Sequence, residues 1–282
     1  MKIDNAVKAI KTFAADNPRL SVLVRVRNEA IGLPGFLDSL RRQSIFQYIE
    51  VIFLDSGSSD ETLEIIDNFP CAIYQIDSDI FQFGSSCNML CKLATAEWLM
   101  LASGHVKFTS DDALELALKS LEERGVKWGY FRQVPRSDLG SSAYERAFLR
   151  RRYPASETVK CVAEVGGFSN ACSIFHSSLW RREEFPCVDA SEDFLWARKI
   201  IERERVILYF GNISIEHSHN EPPDTVSRRV RMNVAARGKD KTWRISRIPF
   251  YFFAVFATVL FEGGGLAEAF LYARAHAGAY WR

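Results

Sequence analysis

Asp55 is an acidic residue placed where it could meet a ligand. It follows Glu50-Val51-Ile52-Phe53-Leu54, whose four apolar residues predict a strand buried on both faces. Directly after it, Ser58 and Glu61 have the spacing of a capping box, which predicts the start of a helix. Open α/β sheets bind ligands at the carboxyl ends of parallel strands, so Asp55 is a candidate binding residue. Its turn lacks the glycine patterns of dinucleotide and P-loop triphosphate sites.

A second polar turn precedes this one in the chain. Residues 20–26 predict a first strand, which ends in the turn Arg27-Asn28-Glu29, and a helix carrying Phe36, Leu37 and Leu40 follows. This order of strand, Asn-Glu turn, helix, strand and Asp-Ser-Gly-Ser turn resembles the inverting family 2 glycosyltransferases, which have a GT-A fold. The resemblance implies that the two turns bind the nucleotide of a sugar nucleotide. It places these residues in the donor pocket: Arg25, Arg27, Asn28, Glu29, Asp55 and Ser56.

The alternative for Asp55 is an ordinary turn carboxylate beside a helix. Asp-Ser-Gly taken alone supports that interpretation equally well. The Asn-Glu turn at this spacing favours ligand binding.

A second acidic motif, Glu192-Asp193, follows Ser191 in the other half of the chain. Inverting glycosyl transfer needs a base for the acceptor hydroxyl and positive charge for the departing diphosphate. The resemblance implies that Asp193 is the catalytic base and that Glu192 positions or binds the acceptor. The alternative is an acidic first helical turn that the helix macrodipole favours.

The residues expected to hold the diphosphate depart from the common family pattern. Ser103-Gly104-His105 stands where most relatives carry an Asp-x-Asp metal-binding triplet. The chain most resembles a subgroup with Ser-x-His there, and four segments carry that resemblance: Phe83-Gly84 with Asn88, Ser103-Gly104-His105, Phe131-Arg132-Gln133 and His217-Ser218-His219-Asn220. It covers residues 20–220 and adds four donor contacts: Asn88, Ser103, His105 and Arg132.

Histidines at these motif positions could bind a divalent transition metal. His105 could replace the acidic ligand, with His217 or His219 completing the site, and the i, i+2 spacing puts the latter two on one face of a strand. Such a site favours Mn²⁺ over Mg²⁺, which prefers oxygen ligands. A metal-free site is the open alternative, in which His105, Arg25, Arg27 and Arg132 neutralise the diphosphate directly.

Composition excludes several classes of protein. Of 282 residues, 48% are hydrophobic and 25% charged, which supports a large core rather than global disorder. Lys and Arg number 36 against 35 Asp and Glu, so the charge gives no reason to expect a nucleic-acid partner. Six cysteines without a C-x-x-C pair indicate free thiols in a reducing compartment. Since no signal peptide is recognisable, we expect a cytoplasmic protein.

Alternating strands and helices over residues 20–132 predict an α/β fold with a mostly parallel, Rossmann-like sheet flanked by helices. The second half is less regular. A loop is predicted at 146–152, a strand at 171–175, a helix at 191–205 and two short strands at 206–210 and 213–216.

The predicted domains are an N-terminal amphipathic helix at 1–19, a GT-A domain at 20–220 and a C-terminal helical extension at 221–282. The uncharged run 248–261 is fourteen residues long, shorter than the roughly 20 that a spanning helix needs. It is compatible with a buried helix, an oligomer contact or an interfacial membrane helix, and Arg244 and Arg247 just before it suit the third. The protein could then be peripheral at the inner face of the membrane.

The sequence therefore predicts a glycosyltransferase that moves a sugar from a nucleotide sugar, expected to be a uridine diphosphate sugar, to a hydroxyl of a growing glycan or lipid-linked acceptor. The first alternative is a catalytically silent GT-A-like protein that binds nucleotide sugars or scaffolds a glycan-assembly complex, which the missing Asp-x-Asp triplet would suit. The second is a nucleotidyltransferase, but Arg27-Asn28-Glu29 does not resemble its glycine-rich basic loop.

Overall fold

The computed structural model describes residues 7–138, 140–188, 190–236 and 245–281. The chain divides into two units. Unit 1 contains Met1–Arg132, Ala155–Val188 and Glu192–Ile215, and unit 2 contains Gln133–Pro154, Asp189–Ser191 and Glu216–Arg282. The predicted boundaries at residues 20 and 220 remain predictions about domain organisation.

Unit 1 is built on a mixed, mostly parallel sheet, as predicted. Its strands are β1 (Lys8–Lys11), β2 (Leu20–Val26), β3 (Ile49–Asp55), β4 (Ala72–Gln75), β5 (Trp98–Ser103), β6 (Lys107–Phe108), β7 (Trp128–Val134), β8 (Lys160–Val162), β9 (Cys172–His176) and β10 (Ile207–Glu216). The order across the sheet is β1-β4-β3-β2-β5-β9-β7-β10-β6, and β8 pairs with β10. Strands β4, β3, β2 and β5 are mutually parallel, and β9 is antiparallel to β5 and β7. The two short strands predicted at 206–216 are the single strand β10.

Helices flank the sheet strands in sequence. They are α1 (Leu33–Arg41), α2 (Thr62–Asp67), α3 (Phe83–Leu93), α4 (Ala113–Arg124), α5 (Ala143–Arg152), α6 (Ser177–Arg182), α7 (Glu192–Glu204), α8 (Pro223–Ala236), α9 (Ile248–Phe261) and α10 (Leu266–Gly278). Helices α5, α8, α9 and α10 belong to unit 2 and the others to unit 1.

The core of unit 1 lies around the central strands β2 and β3. Every residue of β3 is buried, as expected of a strand covered by helices on both faces. Its one internal acid, Glu50, accepts hydrogen bonds from the Ser21 hydroxyl and from the backbone and hydroxyl of Thr95. These bonds satisfy a charge that would otherwise be costly to bury.

The N-terminal helix predicted at 1–19 is wrong where the structure describes the chain. Residues 8–11 form strand β1, antiparallel to β4, and residues 1–6 lie outside the described residues. The open edge of β4 offers backbone partners, and Lys11 fixes the segment through its ammonium group, which donates to the carbonyls of Asp67 and Phe69. Lysines are common on such edge strands because they discourage further pairing.

The loop predicted at 146–152 is also wrong, because residues 143–152 form helix α5. The Ser142 hydroxyl accepts a hydrogen bond from the Glu145 backbone N–H at 3.1 Å. Ser142 and Glu145 have capping-box spacing, so the sequence carried a helix-start signal that outweighs the basic composition of the segment.

Unit 2 has its own core, in which α5, α8, α9 and α10 pack together. Tyr144 stacks on Tyr272 with ring centroids 4.8 Å apart, and its hydroxyl lies 2.8 Å from Nδ1 of His276. Burial is the main cause that lowers the pKa of His276 to about 4, so this imidazole is neutral near pH 7. Among the helices within the described residues, none has both the length and the apolar character needed to cross a bilayer. Arg244 lies outside the described residues.

Candidate active site

The carboxyl ends of three parallel strands in unit 1 meet at one edge of the sheet. Val26 of β2 is in register with Asp55 of β3, and Arg25 of β2 is in register with Ser103 of β5. The polar residues that end these strands therefore lie side by side, where open α/β sheets bind ligands.

Asp55 is fully buried and organises the turn that follows it. Its carboxylate accepts hydrogen bonds from the backbone N–H groups of Gly57 at 3.0 Å and Ser58 at 3.1 Å, and from the Gln75 amide at 3.0 Å. The Ser58 hydroxyl also donates to it, at 2.5 Å. Ser58 therefore does not cap a helix as predicted, and α2 begins only at Thr62.

The turn after β2 is hydrogen-bonded to the turn after β3. The backbone N–H of Asn28 donates to the Ser58 hydroxyl at 3.0 Å, and the Asn28 side-chain oxygen accepts from the Ser59 N–H at 2.8 Å. The Glu29 N–H donates to the Thr62 hydroxyl at 2.8 Å. Ser56 joins the same network, because its N–H donates to the Val26 carbonyl. Asn28, with φ of 55°, is in the left-handed region that asparagine tolerates.

His105 lies beside Glu29 at this edge. Its Nδ1 is 3.0 and 3.1 Å from the two carboxylate oxygens of Glu29, and both side chains are partly buried. Gly104 permits this approach, because a Cβ there would lie 3.2 Å from Val26 and 3.5 Å from Glu29. A carboxylate on Nδ1 favours the tautomer with its proton there, leaving Nε2 as the nitrogen able to act as a ligand.

Arg25 connects the strand edge with the start of α7. Its Nη1 donates to the Phe83 carbonyl at 3.0 Å and lies 3.5 Å from Oε1 of Glu192, and its guanidinium sits over the Phe83 ring. Burial alone would lower the pKa of this guanidinium, but Cys87, Glu192 and Asp193 together raise it above its ordinary value. The structure therefore holds a positive charge at the edge of the sheet.

Glu192 and Asp193 are neighbours with different surroundings. Glu192 is buried, paired with Arg25 and bonded to the Asn170 amide at 3.3 Å. Asp193 is half-buried, and its carboxylate accepts a hydrogen bond from the Phe194 N–H at 2.6 Å. Both carboxylates lie in the first turn of α7, where the helix dipole favours negative charge.

Asn170 is a site residue that the sequence analysis did not identify. Its buried amide group donates to Glu192 and contacts the Cys87 sulfur at 3.6 Å. Burial is the main cause that raises the pKa of Cys87 to about 12, so the thiol is neutral and unsuited to nucleophilic chemistry. The only sequence signal for Asn170 was its place at the end of a glycine-rich turn directly before β9.

Asn88, a predicted donor contact, makes its side-chain hydrogen bonds to residues near α6, and its contact with a donor remains a prediction. Its side-chain oxygen accepts from the Trp180 indole at 3.0 Å and from the Phe185 N–H at 2.9 Å, while its amide group donates to the Phe185 carbonyl. Asn88 is buried in α3 and holds the chain that leads from α6 towards α7. These contacts give Asn88 a structural role in the motif.

Three other residues are predicted to contact the donor, and each lies in or directly after a strand of the sheet. Arg27 is exposed in the turn after β2, and Arg132 is half-buried in β7. Ser103 ends β5, and its N–H donates to the Ala171 carbonyl. Their contacts with a donor remain predictions.

In unit 2, the His-Ser-His-Asn segment organises the chain after β7. Nδ1 of His217 lies 3.0 Å from the Gln133 side-chain oxygen, and the rings of His217 and His219 meet edge to face with centroids 4.7 Å apart. The Ser218 hydroxyl accepts from the Arg136 N–H, and Asn220 accepts from the Ser142 N–H. The metal site predicted for His105 with His217 or His219 draws on both units and remains a prediction.

Comparison with known proteins decides the family. Residues 21–181, more than half of the chain, match the model described as glycosyl transferase family 2. The chain belongs to glycosyl transferase family 2. The chain is similar to the O-antigen chain rhamnosyltransferase WbaN of Salmonella anatum, at 24% identity over 185 residues. That match covers 62% of this chain and 58% of WbaN, less than two thirds of the relative.

Solved structures confirm the GT-A fold of this family member. The UDP complex of residues 1–349 of S. aureus TarS is similar with a TM-score of 0.59 and 14% identity, covering 92% of this chain and 90% of that one. The mannosyltransferase PcManGT of Pyrobaculum calidifontis, in complex with GDP-Man and Mn²⁺, is similar with a TM-score of 0.53 and 20% identity, covering 94% and 72% of the two chains.

The family match includes the turns after β2, β3 and β5 but ends before α7. The link between these turns and Glu192-Asp193 in this chain therefore rests on the Arg25 and Asn170 contacts. The Ser-x-His subgroup remains a prediction from the sequence.

Gly84 allows α3 to approach the chain before α7, which gives a direct test of this packing. A Cβ at position 84 would lie 1.9 Å from the Pro186 carbonyl oxygen, so Gly84→Ala must displace backbone. We expect a loss of about 1–3 kcal/mol in the free energy of unfolding, measured by urea denaturation. Gly35→Ala in α1, where a Cβ meets nothing within 4 Å, is the control and should be neutral or stabilising. Equal stability of the two variants would contradict the close approach.

Proposed function

We propose that this glycosyltransferase transfers one sugar, with inversion, from a uridine diphosphate sugar to a hydroxyl of a growing glycan or lipid-linked acceptor. The observation that carries the proposal is the contact of Arg25 with Glu192 in unit 1. It joins the strand edge expected to hold the donor to the helix that carries Asp193.

Asp193 is proposed as the general base. Single displacement with inversion needs a carboxylate on the acceptor side of the sugar to take the hydroxyl proton as the oxygen attacks the anomeric carbon. Asp193 is half-buried at the start of α7, whereas Glu192 is held in its ion pair with Arg25. We therefore assign proton transfer to Asp193 and the positioning of α7 to Glu192.

Charge on the departing nucleoside diphosphate would be stabilised by cationic groups at the same strand edge. Arg25 carries a positive charge there, and His105 is oriented by Glu29. Fixed cations and donors that face developing negative charge lower a barrier more than mobile ones, because they need not reorganise during reaction.

Known relatives support the donor and acceptor classes. TarS has been solved with UDP and with UDP-GlcNAc, PcManGT with GDP-Man, and WbaN is described as an O-antigen chain rhamnosyltransferase. These descriptions support a nucleoside diphosphate sugar as donor and a glycan chain as acceptor. The choice of uridine remains part of our proposal.

The histidines have the chemistry that a divalent transition metal would need. In each unit a side-chain oxygen lies 3.0 Å from Nδ1 of a histidine. In unit 1 it is a carboxylate oxygen of Glu29 beside His105, and in unit 2 it is the amide oxygen of Gln133 beside His217. Such contacts commonly orient metal-ligating imidazoles for coordination through Nε2. A metal bound there would supply Lewis-acid stabilisation of the diphosphate. Without one, Arg25, Arg27, Arg132 and His105 would supply the positive charge.

A thermal-shift panel of sugar nucleotides with and without Mn²⁺ tests donor class and metal use together. We expect uridine diphosphate sugars to raise the unfolding temperature, because a ligand that binds only the folded state stabilises it. If the imidazoles bind metal, chelator should reduce transfer and Mn²⁺ should restore it better than Mg²⁺. His105→Ala should lower kcat more than it raises KM, because the stabilised charge develops during reaction.

Glu29→Gln is the matched variant for His105, because it keeps the side-chain shape while removing the charge that orients the imidazole. We expect Glu29→Gln to lower kcat, as His105→Ala does, but by a smaller factor. If chelator does not change the rate of transfer, the remaining possibility is the metal-free site, in which cationic side chains contact the diphosphate directly. Donor binding without any transfer, tested with a series of glycan and lipid-linked acceptors, would instead support the catalytically silent alternative.

A further inference from the structure

Helix α9 of unit 2 is apolar along its whole length yet little buried. It carries no charged side chain, and Val259 is its buried residue, while the others described are half-buried or exposed. Helices that are apolar on all sides normally lie in a protein core or in a membrane. One face of α9 packs against the core of unit 2 through Tyr251, Val255 and Leu260, but the described residues do not cover the opposite face.

The most exposed side chains of α9 fall on one face. Phe250, Phe253, Ala257 and Phe261 follow one another at spacings of three, four and four residues, and Phe253 and Phe261 are 68% and 76% exposed. Such spacing places side chains along one stripe of a helix.

Helix α10 extends the same apolar surface. The ring of Phe252 contacts Phe253 at 5.6 Å and Phe270 of α10 at 5.9 Å between centroids, so the two helices share one aromatic cluster. The aromatic face is defined here by its exposed members: Phe250, Phe253, Phe261, Leu266, Phe270 and Leu271. Exposed apolar side chains on two helices joined by such ring contacts are typical of an interaction site.

Positive charge borders the aromatic face. The guanidinium of Arg150 lies over the Phe261 ring, 4.7 Å from its centroid. Arg247 precedes α9, and Arg274 projects from α10, both exposed. Glu262, the acid that follows α9, already pairs with Arg150 at 2.7 Å.

We propose that the aromatic face binds the surface of an anionic lipid bilayer. Phenylalanine and leucine side chains would enter the boundary between headgroups and acyl chains, while the surrounding arginines would meet the lipid phosphates. A second copy of the chain suits this face less well. A two-fold contact would place the same basic border against itself, and like charges disfavour that arrangement.

Sedimentation of the full-length protein with vesicles tests this surface. We expect binding to mixed phosphatidylglycerol and phosphatidylcholine vesicles, and weaker binding to phosphatidylcholine alone or at high salt. The double variant Phe250→Ser with Phe253→Ser should lose at least about tenfold in partitioning, because two exposed apolar side chains no longer enter the lipid. Arg247→Gln should lose about fivefold, and only with the anionic vesicles.

Leu116→Ser in α4 of unit 1 is the matched control, since it also replaces an exposed large apolar residue and should leave partitioning unchanged. Thermal unfolding confirms that each variant is folded. Equal partitioning of a folded Phe250 and Phe253 double variant would overturn the proposal. A second result would also overturn it. The wild-type protein would not bind vesicles but would form a dimer, and the Phe250 and Phe253 double variant would be monomeric. Because these measurements use neither donor nor acceptor, their outcome does not depend on whether the proposed transfer reaction is correct.

Discussion

Asp193→Asn is expected to lose nearly all sugar transfer while keeping its affinity for the donor. The substitution preserves the size of the side chain and its place in the first turn of α7 but removes the basic carboxylate. Removing a general base typically slows turnover by about 10²–10⁴-fold. Initial rates with saturating donor give the change in kcat, and isothermal titration calorimetry gives the donor affinity.

A matched substitution separates catalysis from the helix-dipole alternative. Asp224 lies in the first turn of α8, so Asp224→Asn removes a comparable macrodipole interaction in unit 2. We expect it to change stability slightly and transfer hardly at all. Transfer by the Asp193→Asn protein at a rate near that of the wild type would remove Asp193 from the role of base.

Asp55→Ala is expected to abolish measurable donor binding rather than to slow chemistry. The change removes the buried acceptor for the N–H groups of Gly57 and Ser58 and for the Gln75 amide. Because Gly57 is exposed and Ser58 and Gln75 are only half-buried, water can replace the lost acceptor, and the turn should rearrange once these hydrogen bonds no longer hold it. The adjoining turn at Asn28 would lose its support at Ser58. Calorimetric titration with the sugar nucleotide should show a loss of affinity of at least about 100-fold.

Ser58→Ala serves as the control for Asp55, because it leaves the carboxylate and its backbone partners in place and removes only the hydroxyl that donates to Asp55 and accepts from the Asn28 N–H. We expect a decrease in affinity much smaller than that of Asp55→Ala. A folded Asp55→Ala protein with unchanged donor affinity would show that this carboxylate serves only its own turn.

The parts of the fold that the sequence predicted well are governed by local patterns. Strands β2, β3 and β5 are apolar runs bounded by polar turns, and their boundaries follow from that contrast. Strand β1 has no such pattern, since its strand state depends on pairing with β4, far along the chain. Helix α5 is a different failure, because the capping signal at Ser142 was present and the basic composition was given more weight.

The site shows the same contrast between local sequence patterns, which could be read, and contacts between distant residues, which could not. Position in the chain and family resemblance identified Asp55 and the Glu192-Asp193 pair as candidates. The hydrogen-bond partners of Asn88 and Asn170 could not be predicted, because Phe185 and Glu192 lie 97 and 22 residues away from them in the sequence. An asparagine in a motif has the same appearance in the sequence whether its amide meets a ligand or holds a neighbouring loop.

The interleaving of unit 1 along the chain determines the order in which it can fold during synthesis. Strand β9 pairs with both β5 and β7, yet it is made about seventy residues after β5 and belongs to the second of three chain segments. A nascent chain that has only reached β7 therefore exposes an unpaired edge of β5. Pairings between distant segments form slowly, because the intervening chain must first be brought together. Until β9 emerges from the ribosome, that edge of β5 is open to aggregation and is a natural binding site for a chaperone.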